Sequence, residues 1–391
     1  MRAEATAIRI ITLLAGLSVP FTPFLSGLES PAGSIEQATH LIEAGKYDQA
    51  ESALRSAIQR LDGTSDTLLL KATVDLGAAF YYRGRFAEAE SAYRRALDIS
   101  KRLPVDSPPD PSVILNNLTV LYRRAGRLQD AEQTSLDVIR VRERTLGSSS
   151  CSLAKALTSL AGIYQDQGRY DQAEVVSRRA LNIFSGAGEA ERQRLGSSLV
   201  QLADIRRSQG DLDEAESLLS RAKEIYESSF GPNHPRLGVV YSSLGVLRIA
   251  QRRYEDAEQY LDQAIRIWRG SEAAASPDVA AAINNLGQVY KLTGRYDRAK
   301  ELYREAIGLG DQHPGYGLFL GNYADFLATT GQEKAAVGVY EQAIAVLQQR
   351  LGPEHPEVKR LRASLSSVAS IQARKSAWVV DARQLLKPPK E

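Results

Sequence analysis

The sequence predicts an all-α fold, an α-solenoid of about eight helix-turn-helix repeats closed by a C-terminal capping helix. Three observations predict it. A turn residue recurs at a nearly fixed period, as Gly45, Gly84, Gly126, Gly168, Gly210, Arg252, Gly294 and Gly331, with separations of 39, 42, 42, 42, 42, 42 and 37. Five residues after each stands alanine: Ala50, Ala89, Ala131, Ala173, Ala215, Ala257, Ala299 and Ala336. Apolar residues flank each marker at helical spacing, such as Leu118, Leu121 and Tyr122 before Gly126.

Residues 1–32 precede the repeats and read as an export signal. Arg2 and Arg9 precede IITLLAGLSVPF, a run of signal-peptide length that is short for a membrane span, and Pro20 and Pro23 interrupt any longer helix. Ser30-Pro31-Ala32 supplies a small-x-small site, with cleavage expected before Gly33. An unremarkable apolar N-terminus and an uncleaved anchor are the alternatives.

From 34 to 356 the chain is read as eight repeats. In each, the marker ends a first helix because a left-handed cap residue costs least without a Cβ. An aromatic residue or leucine two positions later (Tyr47, Phe86, Leu128, Tyr170, Leu212, Tyr254, Tyr296) opens the second helix. Small residues seven before the marker, among them Ala38, Gly77 and Gly245, face the alanine five after it, and Ala57, Ala96 and Ala180, twelve after, meet the next repeat. One helix pair cannot bury its own apolar face, so stacked neighbours share a core. Residues 357–374 read as a capping helix with Val358, Leu361, Leu365 and Val368 on one face. The tail 375–391 carries Trp378, Val379 and Val380, expected to fold back as a plug, with a short partner-binding segment as the alternative.

The run from Leu157 to Leu181, readable as LxxLAxIYxxQGRYxxAExxxxRAL, resembles the tetratricopeptide repeat (TPR). The 42-residue period, the links Phe230-Gly-Pro-Asn-His-Pro and Leu351-Gly-Pro-Glu-His-Pro, and the Asn-Asn-Leu runs after Leu115 and Ile283 are similar to its kinesin-light-chain subtype. The resemblance spans residues 34–369 and implies a right-handed superhelix whose first helices line a concave surface. Three departures are visible. Arg206 and Arg248 replace the Tyr122, Tyr164 and Tyr290 of other units, Arg252 replaces the turn glycine, and SSSCSL after Gly147 has lost the His-Pro pair. These units are expected to pack or curve differently.

Nine residues before each marker stand Glu36, Asp75, Asn117, Ser159, Gln201, Ser243, Asn285 and Asn322, all polar. They occupy one repeating helical face. In the family this place commonly holds an asparagine that binds peptide backbone, which the resemblance transfers directly to Asn117, Asn285 and Asn322. An amide offers both donor and acceptor to an extended backbone. Lys71, Arg123, Arg124, Lys155, Arg207 and Lys291 lie on the same face and favour acidic peptides, while Asp166, Asp204 and Asp325 leave the groove mixed. Hydrogen bonding between helices is the structural alternative for the asparagines.

The remaining chemistry excludes more than it supports. Among 391 residues the formal net charge is +2 with no basic block, which gives no basis for nucleic-acid binding. The single Cys151 excludes an intramolecular disulfide and a Cys-rich zinc site. His234, His313 and His355 each precede proline at a unit start, where they read as cap and loop residues rather than metal ligands. No HExxH, GxSxG or phosphate loop occurs, and most Asp and Glu read as solvated residues beside Arg or Lys. The expectation is a non-enzymatic scaffold without cofactor or metal, binding a protein or peptide along the concave groove, exported if the leader is real and otherwise cytoplasmic. A membrane enters only if the leader is retained. A structural assembly protein using the convex face or solenoid ends is the alternative.

Overall fold

Helix ends are set by the recurring turn residue. In the computed structural model the seven marker glycines adopt φ between 72° and 90°. The N–H after each of six of them returns to the carbonyl five residues earlier, as from Lys46 to Leu41 and from Arg295 to Tyr290, both at 2.8 Å. This closure satisfies carbonyls that a helix end leaves open. Arg252 takes the same conformation at φ 60°, alone among the described non-glycine residues. A side chain there costs about 1 kcal/mol.

The structure describes residues 30–61, 67–103, 110–188, 191–271, 277–309 and 315–385, which form seventeen α-helices and no strand. The chain divides into two compact units, Met1–Tyr164 and Gln165–Glu391. The first holds α1 (Pro31–Glu43), α2 (Tyr47–Leu61), α3 (Thr67–Tyr82), α4 (Phe86–Ser100), α5 (Pro111–Arg124), α6 (Leu128–Leu146) and nearly all of α7 (Cys151–Asp166). The second holds α8 (Tyr170–Ser185), α9 (Arg192–Gln209), α10 (Leu212–Phe230), α11 (Pro235–Ala250), α12 (Tyr254–Arg269), α13 (Pro277–Leu292), α14 (Tyr296–Leu309), α15 (Tyr316–Thr329), α16 (Glu333–Leu351) and α17 (Pro356–Leu385). In chain order these are eight helix pairs and a closing helix.

All eight alanines five after the marker are fully buried, and the small residues seven before it are buried with them. The space they leave admits a large side chain nine residues after the marker. A Cβ on Gly77 would lie 2.6 Å from the Tyr93 ring, and one on Gly245 the same distance from Leu261 Cγ. Small residues therefore make room for a bulky neighbour as well as for close helix approach.

Within each unit the first helices of successive repeats pack on one another, in the pairs α1 with α3, α3 with α5, α9 with α11, α11 with α13, α13 with α15 and α15 with α17. Second helices show no comparable approach among the described residues. First helices thus lie on the inner side of each unit's curve. In the second unit this curvature brings the Gly168 turn to the start of α17: a Cβ on Gly168 would stand 3.1 Å from Pro356 Cγ.

The replaced tyrosines and arginines share one role. A glutamate six after four of the markers, Gly84, Gly168, Gly210 and Arg252, accepts from the next repeat, where a donor stands four before the following marker. Tyr122 donates to Glu90 and Tyr290 to Glu258, each at 2.8 Å. Arg248 reaches both Glu216 oxygens at 2.7 Å, and Arg206 reaches Glu174 at 3.1 Å. Where the donor is tyrosine, an arginine after the marker also stacks on its ring and reaches the same glutamate, as with Arg295, 4.0 Å from the Tyr290 ring and 2.7 Å from Glu258. The expectation of different packing at Arg206 and Arg248 is thereby corrected at this contact, since a guanidinium on a long arm meets the same carboxylate as a phenol.

The unit-start histidines behave as caps. His234 and His355 accept the N–H two residues on through Nδ1, at 3.3 and 3.2 Å, and burial lowers both pKa values. At the link without His-Pro, Ser150 accepts from Leu153 at 3.2 Å and replaces them. Ser30 caps α1 by accepting from Gly33, so α1 overlaps the end of the expected leader. At the other end α17 runs to Leu385, past the expected boundary at 374. Residues 1–29, His313 and the Trp378, Val379 and Val380 side chains lie outside the described residues.

Candidate functional site

The inner side is made of first helices, so the polar row nine before the markers belongs to it in both units. What each position can do depends on its neighbours. In the first unit two of the row's four members, Asp75 and Asn117, are buried, whereas Glu36 is exposed. Asp75 is fully buried and accepts from Thr39 at 2.9 Å and Lys71 at 2.7 Å, while Lys71 also donates to Thr39 at 2.7 Å. Burial pushes the Asp75 pKa up, against the opposing pull of the Lys71 ammonium. Lys71 is thus tied into an internal ion pair. Arg123 lies across α7 with Nη2 3.5 Å from the Gly162 carbonyl. Asn117 is 1 % exposed, and neither of its amide atoms has a protein partner. Ser159 is half-buried and Lys155 exposed.

In the second unit the row faces outward. Gln201, Ser243, Asn285 and Asn322 are all part-exposed. Gln201 donates to Gln165 at 3.2 Å, and Asn285 accepts from Asn284 at 3.4 Å. Three residues further on, Asp204, Val246, Gln288 and Asp325 extend the same face. Arg207 lies 3.8 Å from Asp204. The Asp204 carboxylate keeps a third of its surface accessible but sits within the inner curve, and desolvation raises its pKa against the pull of Arg207 and Ser243. Asp325 accepts from Arg360 at 3.0 Å and also from the Tyr340 hydroxyl. Lys291 nearby forms no ion pair among the described residues, and burial lowers its pKa.

Asn117, Lys71, Arg123, Lys155 and Ser159 therefore belong to the first unit, and Gln201, Arg207, Ser243, Asn285 and Asn322 to the second. No single cluster collects them within a unit. They form rows. One feature escaped sequence reasoning. The glutamates six after the markers were read as solvated, although Glu51, Glu90, Glu132, Glu174, Glu216 and Glu258 recur at one offset, which is a signal of shared duty. Among the described residues no group of three His, Cys, Asp or Glu side chains converges to hold a metal ion.

Comparison with known proteins agrees with this architecture. The family described as the MalT-like TPR region matches residues 34–234, and two tetratricopeptide-repeat families match 240–312 and 320–357. No curated protein matches the sequence. Among solved structures, a tetratricopeptide repeat protein from Parabacteroides merdae is 17% identical, with 75% of this chain and 98% of that one covered at a TM-score of 0.56. A Rap protein complexed with competence and sporulation factor is 15% identical over 88% and 99% of the chains, with a TM-score of 0.54. Kinesin-light-chain-like TPR repeats from Podosopora anserina are 21% identical over 51% and 93%, with a TM-score of 0.42. No helix among the described residues is long and apolar enough to cross a membrane.

Proposed function

Because the chain belongs to the tetratricopeptide-repeat family, we propose that it is a non-enzymatic scaffold that holds a protein or peptide segment along the inner face of its first helices. One observation carries this reading. Gln201, Ser243, Asn285 and Asn322 stand part-exposed at one register on consecutive, mutually packed helices, which presents amide and hydroxyl groups in a row. An extended backbone has donors and acceptors to meet such a row without requiring a particular side chain.

Binding spread over several repeats makes the joint loss the informative one. Changing Asn117, Asn285 and Asn322 together to alanine leaves helicity nearly unchanged and weakens partner capture at least tenfold. Unaltered capture by the folded triple variant sinks the groove reading and favours attachment through the outer face or ends. Export rests on residues 1–29 and is checked separately by mass spectrometry of the N-terminus of the chain recovered from its source.

A further inference from the structure

The contact between the Gly168 turn and the start of α17 joins opposite edges of the second unit. Antiparallel pairing makes every first helix run the same way, so the Gly168 turn marks the edge where first helices end and Pro356 the edge where they begin. A Cβ on Gly168 would meet Pro356 Cγ at 3.1 Å and Cδ at 3.3 Å. Asp166, just before the turn, acts electrostatically on His355, just before the proline. Opposite edges meet only where the stack has coiled once and risen by a first-helix length, about 24 Å for the 16 residues of α11. The unit is a lock washer whose gap between successive coils is shut at this point.

That gap is the side entrance to the inner face, and its closure is slight. Asp166, Gly168 and His355 lie outside the buried core, and Pro356 is exposed. The helices on either side are anchored far more firmly, α8 by Ala173, Ala180 and Phe184 and α17 by Val358 and Leu361. The face behind the contact is confined. Asp204 on α9 and Lys291 on α13 both keep accessible surface, yet burial raises the pKa of the first and lowers that of the second. Groups that water reaches but that are desolvated line a narrow channel rather than an open groove.

We propose that the contact between the Gly168 turn and Pro356 is a latch: closed, it bars a folded partner from the inner face, and its release lets the coils part and admits one sideways. Solenoid curvature sums small rotations between repeats, so slight changes at the intervening interfaces separate two edges held by a turn and a proline ring. The proposal rests on the inner face being the binding face and names what controls entry to it. Its tests use no partner, so their failure and that of the groove reading are told apart.

Cysteine chemistry in a chain with Cys151→Ala provides the test. Gly168→Cys with Pro356→Cys is expected to oxidise to an intramolecular disulfide, since the equivalent turn carries a side chain at Arg252. Gly294→Cys with Pro356→Cys is not, because nothing lies within 4 Å of a Cβ at Gly294. Entry is read from the rate at which maleimide linked to a globular carrier protein modifies Ser243→Cys on the inner face, relative to free N-ethylmaleimide. Val175→Cys, at an exposed position of α8, is the reference. The carrier-linked reagent is expected to lag at least tenfold at Ser243→Cys and not at Val175→Cys. Pro356→Ala, which deletes the ring atoms touching Gly168, should shrink that lag at least fivefold. So should Gly168→Asn, a wedge whose residue type tolerates the left-handed turn. Pro235→Ala and Gly294→Asn make the same chemical changes away from the latch and should leave the lag intact. A double-cysteine variant that does not cross-link, a carrier that enters the intact chain freely, or a lag that neither latch variant shrinks overturns the proposal. An equal effect of the two control variants overturns it as well.

Discussion

Lys71 and Lys291 occupy inner faces of the two units and have opposite fates. Lys71 meets Asp75 and Thr39, and the three hydrogen-bond to one another in the first unit through Asp75 Oδ2, while Asp75 Oδ1 is left without a hydrogen-bond partner. Lys291 feels the charge of Asp325, whose oxygens also accept from Arg360 and Tyr340. The first arrangement ties an ammonium into an internal ion pair, and the second leaves one without an ion pair among the described residues. The same residue type on the same kind of face is thus held or left unpaired according to what the next helix offers.

Breaking this comparison at its strongest point gives the largest effect. Lys71→Met strands a buried carboxylate and should cost about 3 kcal/mol, the low end for such a loss because Asp75 can escape by taking a proton. Lys291→Met should leave the unfolding midpoint where it is or raise it. Urea unfolding of the two variants decides, and equal losses would erase the distinction.

The link between repeats ranks next. Arg248 is 6% exposed and depends on Glu216. Glu216→Ala should cost about 2 kcal/mol through the stranded guanidinium. The hydrogen bonds from Arg248 hold the Glu216 carboxylate down to about 2, against an ordinary 4.5. Its contribution is therefore complete above pH 4.5 and lost as the pH falls toward 2. Stability of the wild type should decline more steeply over that window than stability of Glu216→Gln, and parallel acid titrations would contradict the assignment.

Smaller and opposite in sign is relief of strain. Arg252→Gly should stabilise by about 1 kcal/mol, reduced by the entropy glycine adds to the unfolded chain. The smallest effect sharpens the contrast between the asparagines. Asn117→Leu removes an unpartnered buried amide and should raise the melting temperature slightly, whereas Asn322→Leu, at a part-exposed position, should not. A gain at Asn117 accompanied by loss of partner capture would mark an amide retained at the expense of stability.

The repeat was legible because turn geometry and close packing constrain single residue types. A left-handed turn selects glycine, and a helix contact with no room selects alanine, so both survive as a printed period. The inner face was legible only as a register. Asn117, Asn285 and Asn322 look alike in sequence, but Asn117 is enclosed by its surroundings while Asn322 stays wet, and burial at a shared helical position depends on side chains from other helices. The shared glutamate contact was hidden for a related reason. A tyrosine and an arginine differ in every property used to align them, yet both end in a donor at the reach of one carboxylate.

The approach of Pro356 to the Gly168 turn has a consequence for how the second unit comes apart. A stack of repeats with nearest-neighbour contacts alone has two free ends, and the cheapest opening frays inward from either of them. Contact between its first turn and its closing helix gives the stack the boundary condition of a ring. Loss of one repeat then also breaks the seam, so partial unfolding loses its discount and the unit tends toward a single all-or-none transition.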